Sequence, residues 1–355
     1  MIAWEKNIRR VTPYTPGEQP DCPNMIKLNT NENPYPPAPG VTKALQELDA
    51  GRLRRYPDPA AGMLVQALAD YYGVAKEQVF VGVGSDDVLA MSFLTFFNSG
   101  KPVLFPDITY SFYDVWAELF GIPYECPKLN DEFQIRTEDY IRECGGIVIP
   151  NPNAPTGIEK NLEELEEVIA ANPQVIVIID EAYIDFGGTS ALSLLPKYEN
   201  LLVVQTFSKS RSLAGMRIGF AIGNERLIGY LNDAKYSFNS YTMSAAALAA
   251  GTEAIKDDTY FRETLQKIIN TREWTKKELR RLGFSCLDSK SNFIFASHPK
   301  RPARELFEAL KQADIYVRYF NKPRINNYLR ISIGTDQEMV GLRDRARSKV
   351  FPFSF

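Results

Sequence analysis

The sequence predicts an α/β protein in three parts: a large domain whose mostly parallel sheet carries helices on both faces, a smaller α+β domain, and an extended N-terminal arm. Three observations carry this. Continuous apolar runs such as Val175-Ile176-Val177-Ile178-Ile179 and Leu201-Leu202-Val203-Val204 alternate with amphipathic stretches, the pattern of strands buried on both faces. Beyond Gly223 the alternation gives way to helices and then to short strands. Ahead of it, Pro13, Pro16, Pro20, Pro23, Pro34, Pro36 and Pro37 break any helical period, so this segment must be held by something other than its own core. The parts fall at 1–40 for the arm, 41–236 for the large domain and 237–355 for the small one.

Composition narrows the function. The chain has 355 residues, 45% hydrophobic and 24% charged, enough for two domains. Its net charge of −3 argues against nucleic acid, whose phosphates call for a basic surface. Four scattered cysteines, Cys22, Cys126, Cys144 and Cys286, form no Cys-x-x-Cys pair, so reduced thiols in cytoplasm are expected. No apolar run reaches the length of a membrane span. The single histidine, His298, excludes His-based zinc sites and argues against a Ser-His-Asp triad; next to Pro299 it suggests a surface turn.

In the arm, Met25-Ile26-Lys27-Leu28 reads as a short strand, followed by the polar run Asn29-Thr30-Asn31-Glu32-Asn33-Pro34, a turn or the lip of a site. Arg54-Arg55-Tyr56-Pro57-Asp58 precedes a helix over about 60–72 with Leu64, Ala67, Leu68 and Tyr71 on one face. Gln78-Val79-Phe80-Val81 reads as a strand. The small residues of Gly82-Val83-Gly84-Ser85 then open a helix through Phe97, so that its first N–H groups and the Ser85 hydroxyl can face an anion; Asp86 and Asp87 equally suit a cap. Strands follow at Val103–Phe105, Tyr124–Cys126 and Gly146–Ile149, with helices to Phe120 and over 162–171. The strand over 175–179 ends in Asp180-Glu181-Ala182-Tyr183, and that over 201–204 in Thr206-Phe207-Ser208-Lys209. Past Ile218–Ile222 come helices from Glu225, through 245–255, and over 258–282, the last crossing into the small domain. Strands at 292–296, 315–317 and 328–332, a helix at 302–312 and a last helix from Asp336 complete the chain.

Ligands of parallel sheets bind beyond the carboxyl ends of the strands, where the polar clusters after Val81, Phe105, Ile149, Ile179 and Val204 converge. Lys209, at the mouth of a buried strand, sits where desolvation favours the neutral amine that attacks carbonyls. Thr206, Ser208 and Arg217 suit a phosphate beside it. Asp180, after a run of five β-branched residues, needs a partner, and a protonated pyridine nitrogen is a good one. Tyr183 can bond a phenolate oxygen and Tyr110 can lie against a flat heterocycle. Together these suit pyridoxal 5'-phosphate held on a lysine. Tyr110 as ordinary core and Asp180 as a helix cap are the blander alternatives. Arg318 and Arg330 flank a hairpin-like excursion and are either solvated or an anion clamp.

Asn-Glu-Asn-Pro (31–34), Arg-Tyr-Pro-Asp (55–58), Gly-Ser-Asp (84–86), Asn-Pro-Asn-Ala-Pro-Thr-Gly (151–157), Asp-Glu-Ala-Tyr (180–183) and Ser-Lys-x-x-x-Leu-Ala-Gly-x-Arg-x-Gly (208–219) resemble the fold-type I pyridoxal-phosphate aminotransferases, and among them the histidinol-phosphate branch. The resemblance runs from Thr12 to Ile331. It implies a cytoplasmic homodimer of histidine biosynthesis exchanging an amino group between glutamate and imidazole-acetol phosphate. Threonine-phosphate decarboxylases and some aromatic aminotransferases share much of the pattern; a catalytically idle binding module is opposed by the intact lysine, aspartate and arginine. The resemblance further implies that Lys209 bonds the cofactor and moves a proton, that Asp180 pairs with the ring nitrogen and Tyr183 with the ring hydroxyl, and that Tyr110 stacks on the ring. Ser85, Asp86, Thr206, Ser208 and Arg217 would hold the phosphate, with Tyr56 reaching it from the neighbouring subunit, and the arm would pack on the small domain and on that subunit. Arg330 would be the substrate-anion clamp, with Tyr14, Asn31 and Arg318 as further substrate contacts. One position departs: the family carries Asn immediately before Pro-Thr-Gly, this chain has Ala154, and Asn153 is the nearest replacement.

Overall fold

The computed structural model describes residues 3–350. Its largest element is a seven-stranded sheet of β2 (Val79–Gly82), β3 (Val103–Leu104), β4 (Tyr124–Glu125), β5 (Gly146–Pro150), β6 (Val177–Asp180), β7 (Leu201–Thr206) and β8 (Gly219–Gly223), after a short β1 (Ile26–Lys27) in the arm. The spatial order is β2-β8-β7-β6-β5-β3-β4, and every pairing is parallel except those of β8, which runs against both its neighbours. The sheet is therefore mixed at one place, as its mostly parallel reading allows.

Alternation along each strand builds two covered faces. Ile147, Ile149, Val177, Ile179, Leu201 and Val203 share a core with Leu165, Val168 and Ile169 of α5 (Leu162–Ala171). Their neighbours Val148, Ile178, Leu202 and Val204 pack on the other face with α3 (Ser85–Phe96), α4 (Tyr113–Phe120) and Ile228 and Leu231 of α6 (Glu225–Phe238). At the β2–β8 end, Val79, Val81, Phe220 and Ile222 meet α1 (Pro39–Gln46) and α2 (Gly62–Tyr72). Also in this third core are Ala247, Leu248, Ala250, Ala254 and Ile255 of α7 (Ala245–Lys256). This moves the boundary placed at 236/237: α7 belongs with the large sheet, because its small side chains let it pack closely on the face that Val41, Leu64 and Leu68 offer.

The change of domain comes at α8 (Asp258–Arg281), about 36 Å long at 1.5 Å per residue. Its Phe261, Leu265, Ile268 and Leu279 open a separate core. That core holds β9 (Ser285–Cys286), β10 (Phe293–Ser297), α9 (Ala303–Lys311), β11 (Ile315–Tyr316), β12 (Arg318–Tyr319), β13 (Leu329–Ser332) and α10 (Asp336–Arg345). An antiparallel sheet runs β12-β13-β10-β9. Arg272 of α8, almost fully buried, donates to the carbonyls of Phe186 (2.9 Å) and Ser291 (3.0 Å), fastening the large-domain loop after β6 to the small domain.

The arm takes its order from the small domain. β1 pairs in parallel with β11, Ser332 N donates to Leu28 O at 3.0 Å, and Ile26 and Leu28 enter the small-domain core. Ala3–Asn7 form a 3₁₀ turn rather than extended chain, and Arg9 Nη1 donates to Leu119 O at 2.7 Å on α4. His298 is not a surface residue. It follows β10 at the start of a turn but is only 7% exposed, edge-on to Phe284 and beneath Gly283, and this burial lowers its pKa.

Candidate active site

The carboxyl ends of β2, β5, β6 and β7 surround a cleft of about 580 Å³. Its floor depends on two glycines. Gly84, at φ +90°, leads into α3 where a Cβ would lie 2.5 Å from Arg217 Nη2, and a Cβ on Gly219 would lie 2.2 Å from the Gly84 carbon and Ser85 nitrogen. Only because both lack side chains does the α3 N-terminus come against β8, with Ser85 and Asp86 of its first turn lining the cleft and no side-chain cap at Gly84. Ser85, Asp86, Thr206, Ser208 and Arg217 line the same end. Arg217 is positioned by Asp86 (3.1 Å) and by contacts to Ser208 Oγ and Ala214 O (3.4 and 3.3 Å), while the Tyr110 hydroxyl donates to the other Asp86 oxygen at 2.7 Å. Helix N–H groups, three hydroxyls and a guanidinium form an oxyanion cradle with tetrahedral capacity.

Asp180 closes the opposite end. It is 5% exposed, and burial raises its carboxyl to about 6 against the bonds it accepts from Tyr113 (2.5 Å) and from Ala182 N (3.2 Å), with Asp86 pushing the same way as burial. A buried carboxylate with no cation beside it among the described residues is a half-made ion pair, and a protonated ring nitrogen is what it lacks. Between the two ends, Lys209 Nζ lies 3.3 Å from Thr30 O and 5.9 Å from the Tyr183 ring centre. The Lys209 carbonyl is held by Asn33 Nδ2 (3.2 Å), so the arm grips the lysine loop directly.

A second space of about 680 Å³ opens from the first across Lys209, Tyr110, Ala154 and Tyr183. Tyr14, Asn31, Arg318 and Arg330 all line it, Tyr14 stacked on Phe112 at 4.3 Å. Arg318 and Arg330 are direct partners across the β12–β13 pair. Arg330 Nη2 donates to Asn29 O (2.9 Å), but Nε is buried without a hydrogen-bond partner among the described residues. Burial, and then the neighbouring Arg318, lower the Arg330 guanidinium.

The residues matched by the model of the aminotransferase class I and II family are 23–345. The chain belongs to that family. A histidinol-phosphate aminotransferase of Lactococcus lactis subsp. cremoris is 53% identical over 338 residues, 95% of each chain. One of Clostridium beijerinckii is 52% identical over 344 residues, 97% of this chain and 96% of its own. The crystal structure of histidinol-phosphate aminotransferase from Sinorhizobium meliloti in complex with pyridoxal-5'-phosphate superposes with a TM-score of 0.82 at 26% identity, over 91% of both chains. Class I and II aminotransferase chemistry fits the donor set described above: an oxyanion cradle, a lysine and a buried carboxylate line one cleft.

One expected residue, Asn153, stands elsewhere, and Tyr56, expected in the neighbouring subunit's site, is absent from the cleft of its own chain. Tyr56 is 80% exposed and stacks on Tyr241 at 4.5 Å, away from the cleft of its own chain. Asn153 is turned into the protein: its Nδ2 donates to Ile108 O (2.9 Å) and its Oδ1 accepts from Thr109 (3.0 Å). Ala154 lines the cleft instead, so Asn153 does not replace the family's asparagine there, its amide being already paired. Tyr113 and Ser332 were missed by sequence reasoning. Tyr113 stands in an aromatic helix that reads as core, and the one signal for it was Asp180's need of a donor.

Proposed function

We propose that this protein is a pyridoxal-phosphate-dependent transaminase that passes the amino group of L-glutamate to imidazole-acetol phosphate, yielding 2-oxoglutarate and L-histidinol phosphate in histidine biosynthesis. The observation that carries the substrate is the Arg318–Arg330 pair facing the space beside Lys209. Like charges set opposite each other across a strand pair repel, and an anion between them turns that cost into binding. The likeness to histidinol-phosphate aminotransferases over 95% of the chain supports the same reading.

Pyridoxal phosphate, when bound, supplies an electron sink for the charge left at the substrate's Cα. The residues of this chain do the rest. The α3 N-terminus, Thr206, Ser208 and Arg217 would bind its phosphate; Asp180, oriented by Tyr113, would keep the ring nitrogen protonated; Tyr110 would face the ring and Tyr183 would bond the ring hydroxyl. Lys209 holds the cofactor and moves the proton at the substrate's Cα. Arg330, with Arg318, Tyr14 and Asn31 beside it, takes the carboxylate of glutamate in one half-reaction and the phosphate of the other substrate in the next. The test is a half-reaction screen of the cofactor-loaded protein with histidinol phosphate, threonine phosphate, phenylalanine and glutamate. Conversion of the cofactor to its amine form by histidinol phosphate and glutamate is expected; carbon dioxide released from threonine phosphate would reassign the protein as a decarboxylase.

Arg330→Ala is expected to raise KM at least about tenfold for both glutamate and the phosphorylated substrate, since a charge-assisted contact is worth about 1.5–3 kcal/mol. An effect on glutamate alone would place the phosphate on Arg318 or the Arg54–Arg55 pair.

The proposed assembly is a cytoplasmic homodimer whose sites are shared. No helix among the described residues is long and apolar enough to cross a membrane, and all four cysteines are free thiols, as reducing conditions would keep them. Tyr56, Met63, Tyr236, Phe238 and Tyr241 are exposed, Tyr56 stacked on Tyr241 at 4.5 Å, and such side chains suit contact with a second copy. Mixing Lys209→Ala with Tyr56→Ala subunits is therefore expected to restore activity. Both lesions fall in one site of a mixed dimer, so random exchange of equal amounts returns about one quarter of all sites to wild type. No gain over the two parents after verified exchange would remove Tyr56 from the partner's site.

A further inference from the structure

The ring oxygen of the cofactor needs a hydrogen-bond donor, and the loop that would carry one offers the methyl of Ala154 to the cleft. Its neighbour Asn153 is spent on Ile108 and Thr109. Tyr183 lines the cleft and carries a hydroxyl, but a hydroxyl donates or accepts according to its surroundings.

The chain of bonds begins at a group that can only donate. The backbone N–H of Asn31 gives its hydrogen to Ser332 Oγ at 2.9 Å. The Ser332 hydroxyl in turn donates its own hydrogen to Asn31 Oδ1, also 2.9 Å away. The Asn31 amide is thereby fixed with its oxygen toward Ser332 and its nitrogen toward Tyr183 OH, 3.0 Å away. An amide nitrogen only donates, so the Tyr183 oxygen accepts and its hydrogen is left for the cleft. The frame around this chain is rigid. Asn31 is 1% exposed at φ 57°, a left-handed conformation that asparagine tolerates, and Asn292 Nδ2 holds its carbonyl at 2.9 Å. Ser332 pairs in register with Phe293, against whose ring Tyr183 packs edge-on at 5.1 Å.

We propose that Ser332, acting through Asn31, fixes the Tyr183 hydroxyl as a donor to the cofactor's ring oxygen, so that this donor is secured where Ala154 offers none. The relay spans three parts of the chain: Ser332 on the small domain, Asn31 on the arm, Tyr183 after β6. Ser332 and Asn31 are positioning residues, and the inference rests on the pyridoxal-phosphate reading above.

The test is a pH titration of the visible absorbance of full-length, cofactor-loaded protein. A donor to the ring oxygen stabilises its negative charge most when the adjacent nitrogen, that of Lys209, carries no proton to share with it. Losing the donor therefore moves the titration midpoint to higher pH. Ser332→Ala is expected to raise the midpoint by about one pH unit and Tyr183→Phe by at least as much, with no further rise when the two are combined. Ala154→Asn, which restores a donor, is expected to offset the Ser332→Ala shift. Ser332→Ala is also expected to weaken pyridoxal phosphate about fivefold while leaving unchanged the affinity for an analogue without the ring hydroxyl. Should Ser332→Ala fail to fold, the near-isosteric Asn31→Asp serves: its carboxylate accepts the Tyr183 hydrogen, and its midpoint shift, less that of the same change in Tyr183→Phe, is expected to be upward. An undiminished Ser332→Ala shift in the Tyr183→Phe background, equal losses for both cofactor forms, or no shift at all would overturn the relay while the functional reading stands. Wild-type protein that binds no pyridoxal phosphate would overturn both.

Discussion

Lys209→Ala is expected to lose turnover by about a thousandfold or more, because one side chain both holds the cofactor and moves the proton, and proton transfer alone contributes about 10²–10⁴. The wild-type protein should be yellow and lose that colour to borohydride, with the cofactor then recovered on the Lys209 peptide. Geometry rules against the buried lysines. Lys160 Nζ is bonded to Ile135 O at 3.0 Å, Lys235 Nζ to Pro59 O at 2.9 Å, and Lys276 Nζ to Asp288 at 2.8 Å, and none of the three lines the cleft. Lys209 lines both of the connected spaces and makes a weaker contact, 3.3 Å to Thr30 O, that it can give up. The Lys209→Ala protein is expected to retain phosphate-driven binding of pyridoxal phosphate without the absorbance of the covalent form. Cofactor fixed on any other lysine would sink the assignment.

What the sequence made legible follows from how local each signal is. Strand ends announce themselves, since an apolar run that stops at Asp180 or at Thr206 places the next polar residue at the sheet's edge. Lysine, aspartate and the glycines of the phosphate cradle therefore fall together without any knowledge of packing. Contacts between distant segments carry no such mark. Tyr113 looks like one more aromatic of an apolar helix until the fold sets its hydroxyl 2.5 Å from Asp180. Ser332 is a strand residue like many others until Asn31, 301 positions earlier in the chain, arrives beside it. The alanine-rich α7 shows its helix but not its partner, because small side chains pack on almost any face, and its assignment to the small domain failed for that reason. Asn153 failed differently: adjacent residues of an irregular loop point to different sides, so proximity in sequence to Ala154 gave no access to the cleft.

Asp180→Asn is expected to cut kcat at least about tenfold, or 1.4 kcal/mol, and at the same time to stabilise the cofactor-free fold. Catalysis falls because a neutral amide cannot keep the ring nitrogen protonated, and the ring then draws less charge from Cα in the transition state. Stability rises for the opposite reason. Burial holds the Asp180 carboxyl at about 6, above its ordinary value near 3.8. A carboxyl raised in the folded state contributes stability that is complete in acid, below the ordinary value, and is lost as pH rises through about 6. At pH 8 the cofactor-free wild type therefore carries a buried charge costing on the order of 2–3 kcal/mol, at 1.36 kcal/mol per pH unit. Asparagine removes that charge and still accepts the Tyr113 hydrogen bond. Without cofactor, Asp180→Asn should melt above wild type at pH 8, with the gap narrowing toward pH 4. With pyridoxal phosphate bound, the order should reverse, because the wild-type carboxylate, already buried, then meets a cation. Melting curves at the two pH values, with and without cofactor, separate these terms. A gap that ignores pH would mean the carboxylate is not the source of the cost, and a kcat within tenfold of wild type would remove Asp180 from the ring nitrogen.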